Sequence, residues 1–269
     1  MSRTALALAT SALLLTAAPT LAQTQEPAPP AAQPRAPADA QTRAAYDRAD
    51  PLARSVFWAQ QNEINPADPV AGVRLAQALR ELGRHDQAAE TAQAVMMIQP
   101  TNVEAMLEVG RAHIARGHAF YGIAALERAR EQAPRDWRPL SLLGTAYQQV
   151  RRNDDAQAAW RQALALSPDN PDVLANLAMP LMAEGRAAEA EPLLRRAVAQ
   201  PGVKLQVKLN LAMVLGLQGK MGEAEQILRR ELPPESADRN LDWLRAASMQ
   251  GASAAGAGSG RTWSSLQGG

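Results

Sequence analysis

The chain contains no cysteine. A disulfide framework, thiol catalysis and thiolate metal sites are therefore excluded. Aromatic residues are only 4% of the 269, and histidine occurs three times. Residues that favour strands never gather into alternating runs, so no sheet is expected. Neither sign of charge dominates, with 28 basic residues against 27 acidic ones. That balance argues against nucleic acid or an acidic membrane surface as the main partner. The apolar share is 46%, much of it Ala and Leu, which favour helix.

The two ends differ from the middle. Arg3 is followed by an apolar stretch from Ala5 to Leu15, then by Thr20-Leu21-Ala22. This layout predicts a signal peptide over residues 1–22, cleaved after Ala22, and hence an exported protein. A membrane anchor is the alternative, but the apolar core is short for a bilayer. No Cys follows the cleavage point, so no direct lipid anchor is expected. Residues 23–48 are Pro/Ala-rich and read as a linker. Residues 250–269, which include Trp263, are Gly/Ser/Ala-rich and read as a disordered tail. The folded domain is expected over residues 49–249.

That domain repeats itself every 34 residues. Pro66, Pro100, Pro134 and Pro168 form one series. Gly83, Gly117, Gly185 and Gly219 form another, with Arg151 at its missing point. Ala76, Gly110, Gly144, Ala178 and Ala212 form a third, and Ala88, Gly122, Ala156, Ala190 and Ala224 a fourth. Leu75, Val109, Leu143, Leu177 and Leu211 form an aliphatic fifth.

Two antiparallel helices approach closely only where the crossing residues are small, which the Ala/Gly series supply. The lattice Gly ends the first helix in a left-handed conformation. The Pro stops the second. A single hairpin cannot bury its apolar face, so neighbours must stack. Period and pattern are those of tetratricopeptide repeats. The expected fold is an all-α, right-handed superhelical solenoid of about five repeats, starting near Pro69, Val103, Trp137, Pro171 and Leu205. Arg54 to Asn65, with Trp58 at the large packing position, reads as an N-terminal half repeat. Ser236 should cap a last helix running to about Met249, a C-terminal capping helix whose Leu241 and Leu244 cover the end of the stack. Pro180 should kink its helix, whereas Pro192 lies near a helix start, where Pro is better tolerated.

Catalytic patterns do not emerge. His85, His113 and His118 match no zinc motif, and His113 occupies an aromatic-type packing position. There is no Gly-x-Ser-x-Gly elbow and no phosphate-binding Gly loop. Glu189, Glu191, Glu223 and Glu225 fall early in second helices, where they complement the helix dipole. No catalytic, cofactor or metal residue is assigned, and the chain reads as a non-enzymatic binder of other proteins. By repeat position its concave groove should include Gln77, Arg80, Arg111, Thr145, Gln148, Met179, Met182, Met213 and Leu217. The first half of that set is polar and basic. The second is Met-rich and adaptable to apolar partners. Asn176 and Asn210 hold equivalent positions from which an Asn can clamp a peptide.

Four segments carry a narrower likeness. They are Asp50-Pro-Leu-Ala-Arg-Ser-Val-Phe-Trp-Ala-Gln60, Asp136-Trp-Arg-Pro-Leu-Ser-Leu-Leu-Gly144, Asn210-Leu-Ala-Met-Val-Leu-Gly-Leu-Gln-Gly219 and Glu231-Leu-Pro-Pro-Glu-Ser-Ala-Asp-Arg-Asn-Leu-Asp-Trp-Leu-Arg245. Through them the chain resembles the TadD family, tetratricopeptide proteins of Flp (tight adherence, Tad) pilus assembly. The resemblance implies a periplasmic or outer-membrane-associated assembly factor whose partners are Tad components such as the secretin. That family is usually regarded as lipid-anchored, and this chain departs from it in having no Cys. A general periplasmic adaptor, for envelope maintenance or polysaccharide export, is the alternative reading.

Overall fold

The computed structural model describes residues 36–251, with side chains through Ser248. The expected signal peptide, the linker up to residue 35 and the tail from 252, with Trp263, lie outside the described residues. Among the described residues every regular element is a helix. Two helices, α1 (Ala40–Tyr46) and α2 (Pro51–Ile64), precede the repeats. The repeats follow as α3 (Pro69–Glu81) with α4 (His85–Ile98), then α5 (Val103–Ala115) with α6 (Phe120–Gln132). Next come α7 (Trp137–Gln149) with α8 (Asn153–Leu166), and α9 (Pro171–Ala183) with α10 (Ala187–Val198). The last pair is α11 (Leu205–Leu217) with α12 (Met221–Glu231), and α13 (Pro234–Gly251) ends the stack. First helices begin at the five residues that the lattice predicts.

Local chemistry sets both ends of each first helix. Asp68, Asn102, Asp136 and Asn170 cap α3, α5, α7 and α9, each side chain accepting backbone N–H bonds. This is a further 34-residue series, and it satisfies otherwise orphaned donors. At the far end Gly83, Gly117, Gly185 and Gly219 all adopt φ between 74° and 78°. The residue after each closes a wrap-around bond to the helix, as Arg84 N–H does to the Leu79 carbonyl at 2.9 Å. Arg151 makes the same turn at φ 64°. A side chain there carries a strain of roughly 1–2 kcal/mol that Gly avoids.

The small-residue series meet inside each hairpin. A Cβ on Gly122 would lie 3.1 Å from the Gly110 backbone. A second set of pairs balances size across the helices. Gly110 faces Leu126, and Gly144 faces Trp160, whose indole donates to the Ser141 carbonyl at 3.1 Å. The half repeat α2 buries Phe57 and Trp58, and Tyr46 of α1 stacks on Phe57 with centroids 3.9 Å apart.

Three expectations need correction. The stretch read as linker up to residue 48 contains α1, capped by Asp39 and tied down by the Arg43–Asp68 ion pair at 2.7 Å. Its Pro/Ala-rich composition hid a short helix held by tertiary contacts. The last helix starts at Pro234, so Ser236 lies within it and its carbonyl accepts from Asn240. A Pro at a first turn lacks only an N–H that would be unpaired anyway. Pro192 lies well inside α10 rather than in its first turn. Pro180 lies inside α9 as expected. It removes the bond that the Asn176 carbonyl would accept, at about 3 kcal/mol unless compensated.

The core is not uniform. One apolar cluster runs from Ala76 through the second and third repeats to Val173, and another from Leu174 to Leu244. Leu164 packs against both. Of the junctions between successive repeats, that between α8 and α9 brings the two backbones together least.

Ion pairs tie the last repeats together. The nearly buried Glu191 accepts from Lys220 at 2.7 Å and from Arg195 at 2.8 Å. The Lys220 hydrogen bond outweighs burial and lowers the Glu191 carboxyl to about 2. Stability linked to a depressed carboxyl is full above its unfolded value and is lost as pH falls through the folded one. From pH ~4.5 down to ~2, Glu191→Gln should therefore lose less stability than the parent, as read by urea unfolding. Equal losses would remove Glu191 as a source of the acid response.

Candidate protein-binding groove

First helices present one face to a groove of about 450 Å³ along α5, α7 and α9. Arg111 comes from α5, and Trp137, Arg138, Ser141, Leu142 and Thr145 come from α7. Asp172 and Asn176 come from α9, and Lys204 stands just before α11. A second hollow of about 370 Å³ along α3 and α5 includes Val73, Gln77 and Glu104. The 2.7 Å ion pair between Arg138 and Glu104 joins the two.

The groove is cationic at its rim but internally compensated. Glu108, with no exposed side-chain surface, receives Arg80 at 2.8 Å on one oxygen and Arg111 on the other. Arg138 also grips Asp136, at 2.6 Å. Burial alone would raise the Asp136 carboxyl, but the Arg138 hydrogen bonds outweigh it and hold it below the usual range. Lys204 bonds Asp172 at 2.7 Å. It occupies the lattice position where the other four repeats carry a capping Asp or Asn, and it makes no cap. The groove therefore offers a bound chain oriented donors and acceptors around the apolar Trp137 and Leu142.

The structure sorts the nine expected residues. Arg111 and Thr145 line the larger groove and Gln77 the smaller hollow. Arg80 is fixed on Glu108, so the basic character expected of this half is partly neutralised from beneath. Gln148 faces a separate cleft between α8 and α9. Met179 is half-buried against the C-terminal apolar cluster, and Leu217 is exposed. Met182 and Met213 are corrected to core, at 8% and 7% exposure within that cluster. The α11 sequence is mostly apolar, and its middle, from Leu209 to Gly216, is buried without a break. Asn210 is buried too and accepts from Gln206 at 3.0 Å.

Trp137, Arg138, Ser141, Leu142, Asp172 and Lys204 were missed. The same lattice could have supplied several of them. Arg138 and Leu142 precede Thr145 by seven and three residues, as Asp172 and Asn176 precede Met179. Those spacings keep one helix face.

His113 is buried against Tyr121, with ring centroids 5.9 Å apart. Desolvation lowers its pKa, so the ring stays neutral over more of the pH range. Among the described residues no helix is long and apolar enough to cross a membrane.

A tetratricopeptide-repeat family model matches residues 141–204 and 181–240, and a second model of the same repeat matches residues 73–102. A thermophilic tetratricopeptide-repeat protein from Thermus thermophilus is 24% identical, with a TM-score of 0.55 over 65% of this chain and 93% of that one. MamA from Desulfovibrio magneticus RS-1 is 19% identical, with a TM-score of 0.52 over 59% of this chain and 89% of that one. Pseudomonas aeruginosa pilF is 16% identical, with a TM-score of 0.56 over 69% of this chain and 87% of that one. At these identities the likeness shows the fold alone. No curated protein matches the chain. Lattice, hairpin geometry and matched segments together show a tetratricopeptide-repeat fold in this chain.

Proposed function

We propose that the chain is a non-enzymatic scaffold in assembly of the Flp (Tad) pilus machinery, working in the periplasm and assisting the secretin. The observation that carries the binding role is the groove along α5, α7 and α9, where repeated first helices leave one face open. Tetratricopeptide repeats are interaction scaffolds, and Trp137, Arg138 and Asn176 supply an apolar anchor and directional polar groups. The pilus assignment rests on the four resembling segments. Two of them lie outside the repeats proper and build α2 and α13, the ends of the stack. Plain repeat packing does not demand the Phe57-Trp58 pair or the Leu232-Pro233-Pro234 turn found there.

The test is capture of partners by the full chain from periplasmic and membrane extracts, read by mass spectrometry. A secretin or another Tad component should be enriched. Thr145→Arg fills the groove from a part-buried site whose hydroxyl bonds only within its own helix. It should reduce capture about tenfold or more with circular dichroism unchanged, the loss expected when a central contact is blocked. Capture unaffected by Thr145→Arg would remove the groove as the binding surface, and enrichment of unrelated envelope proteins would remove the pilus role.

A further inference from the structure

Two residues break the repeat pattern at unfavourable points, and both line the same cavity. Arg151 replaces the lattice Gly in a left-handed turn, and Pro180 sits inside α9. The cavity, about 300 Å³, lies between α8 and α9, away from the groove. This is also the junction at which the backbones of successive repeats approach each other least. Strained choices persist where a function retains them, and two converging on one cavity point to a site.

Its chemistry is specific. Arg151, Gln148 and Asn153 line one side, and none makes a side-chain hydrogen bond or ion pair with another described residue. The neighbouring Arg152 is engaged, bonding Asp155 at 2.7 Å and lying over the Tyr147 ring. Arg151 is therefore an uncommitted cation beside two free amides. Trp160, Pro180 and Ala183 form an apolar wall. Glu184, also at the cavity, is bonded to Arg186 at 2.8 Å, which offsets its charge.

We propose that this cleft is a second protein-binding site, which takes an acidic side chain carried on a short segment of small apolar residues. The carboxylate is received by Arg151, a charge-assisted pairing that an amide cannot replace. Gln148 and Asn153 donate alongside, and the flanking small residues rest on Trp160 and Pro180. The proposal rests on the chain being a protein binder, but not on the pilus assignment.

The probe is an end-blocked peptide with one Glu between Ala residues, compared with its Gln counterpart. Each is titrated into the full, isotope-labelled chain and followed by amide and indole NMR shifts. The Glu peptide should shift residues 148–156, 183–185 and the Trp160 indole, and bind about tenfold tighter than the Gln peptide. Arg151→Gly restores the lattice residue, so it should raise the urea midpoint while abolishing the Glu preference. Pro180→Ala should also raise the midpoint and weaken binding by letting α9 close on α8. Gain of stability with loss of binding is the signature of a retained functional strain. Absence of Glu-dependent shifts at millimolar peptide overturns the proposal. So does an unchanged Glu preference in Arg151→Gly, or a fall in that variant's midpoint. Because the probe is defined, failure to capture pilus components would leave this result standing.

Discussion

Replacing Arg80 and Arg111 together with Ala should destabilise the stack by about 3–5 kcal/mol, the range for a buried charge stripped of its partners. The two guanidiniums come from successive first helices and converge on Glu108, whose side chain is wholly buried. Either Arg alone still pairs the carboxylate, so single variants should cost much less. The double variant leaves a charge in the core with no counter-ion. Adding Glu108→Gln to the double variant removes that charge at constant shape and should recover most of the loss. Urea unfolding of parent, single, double and triple variants decides it. Small additive losses without rescue by Gln would mean that the pairs are peripheral to stability.

Gly144→Ala is the second large effect, at about 2–3 kcal/mol of overpacking. A Cβ there would lie 2.3 Å from the Trp160 indole nitrogen. The indole is rigid, fully buried and pinned to the Ser141 carbonyl, so it cannot swing aside as a Leu could. The roughly 1 kcal/mol of helix propensity that Ala brings offsets only part of this. Elsewhere the equivalent pair is Ala178 with Leu194 and Ala212 with Leu228, all buried. Trp160→Leu should therefore rescue Gly144→Ala, a coupling that a double-mutant cycle measures. Equal costs of Gly144→Ala in the parent and in the Trp160→Leu background would show that the indole is not the obstacle.

The same pairing shows what the sequence made readable. A 34-residue lattice of Gly, Ala and Pro encodes backbone geometry, and backbone geometry is local. First-helix starts, left-handed turns and hairpin contacts were legible for that reason. The groove was legible only in part. Arg111 and Thr145 follow from repeat position, but Glu108 looks like any surface Glu until two Arg from adjacent helices close over it. Met182 and Met213 failed for the opposite reason. Met is at home on an adaptable surface and in a core, and it is the packing of α9 and α11 into the C-terminal cluster that decides between them. The α1 helix was hidden because its stability comes from Asp68 and Gln61, which contact Arg43 and Ala38 across more than 20 residues.

At the far end, α13 has a consequence for size. Leu241 and Leu244 are fully buried, Leu244 against Gly216 of α11, while Asp238, Arg239, Asp242 and Arg245 point to water. An array of like units has no intrinsic end. Each outer face is shaped to receive another, and copies that meet head to tail grow into an open filament. A helix that is apolar inward and charged outward terminates that growth at the C-terminal side. The length of the stack is then set by the repeats within one chain rather than by how many copies happen to meet.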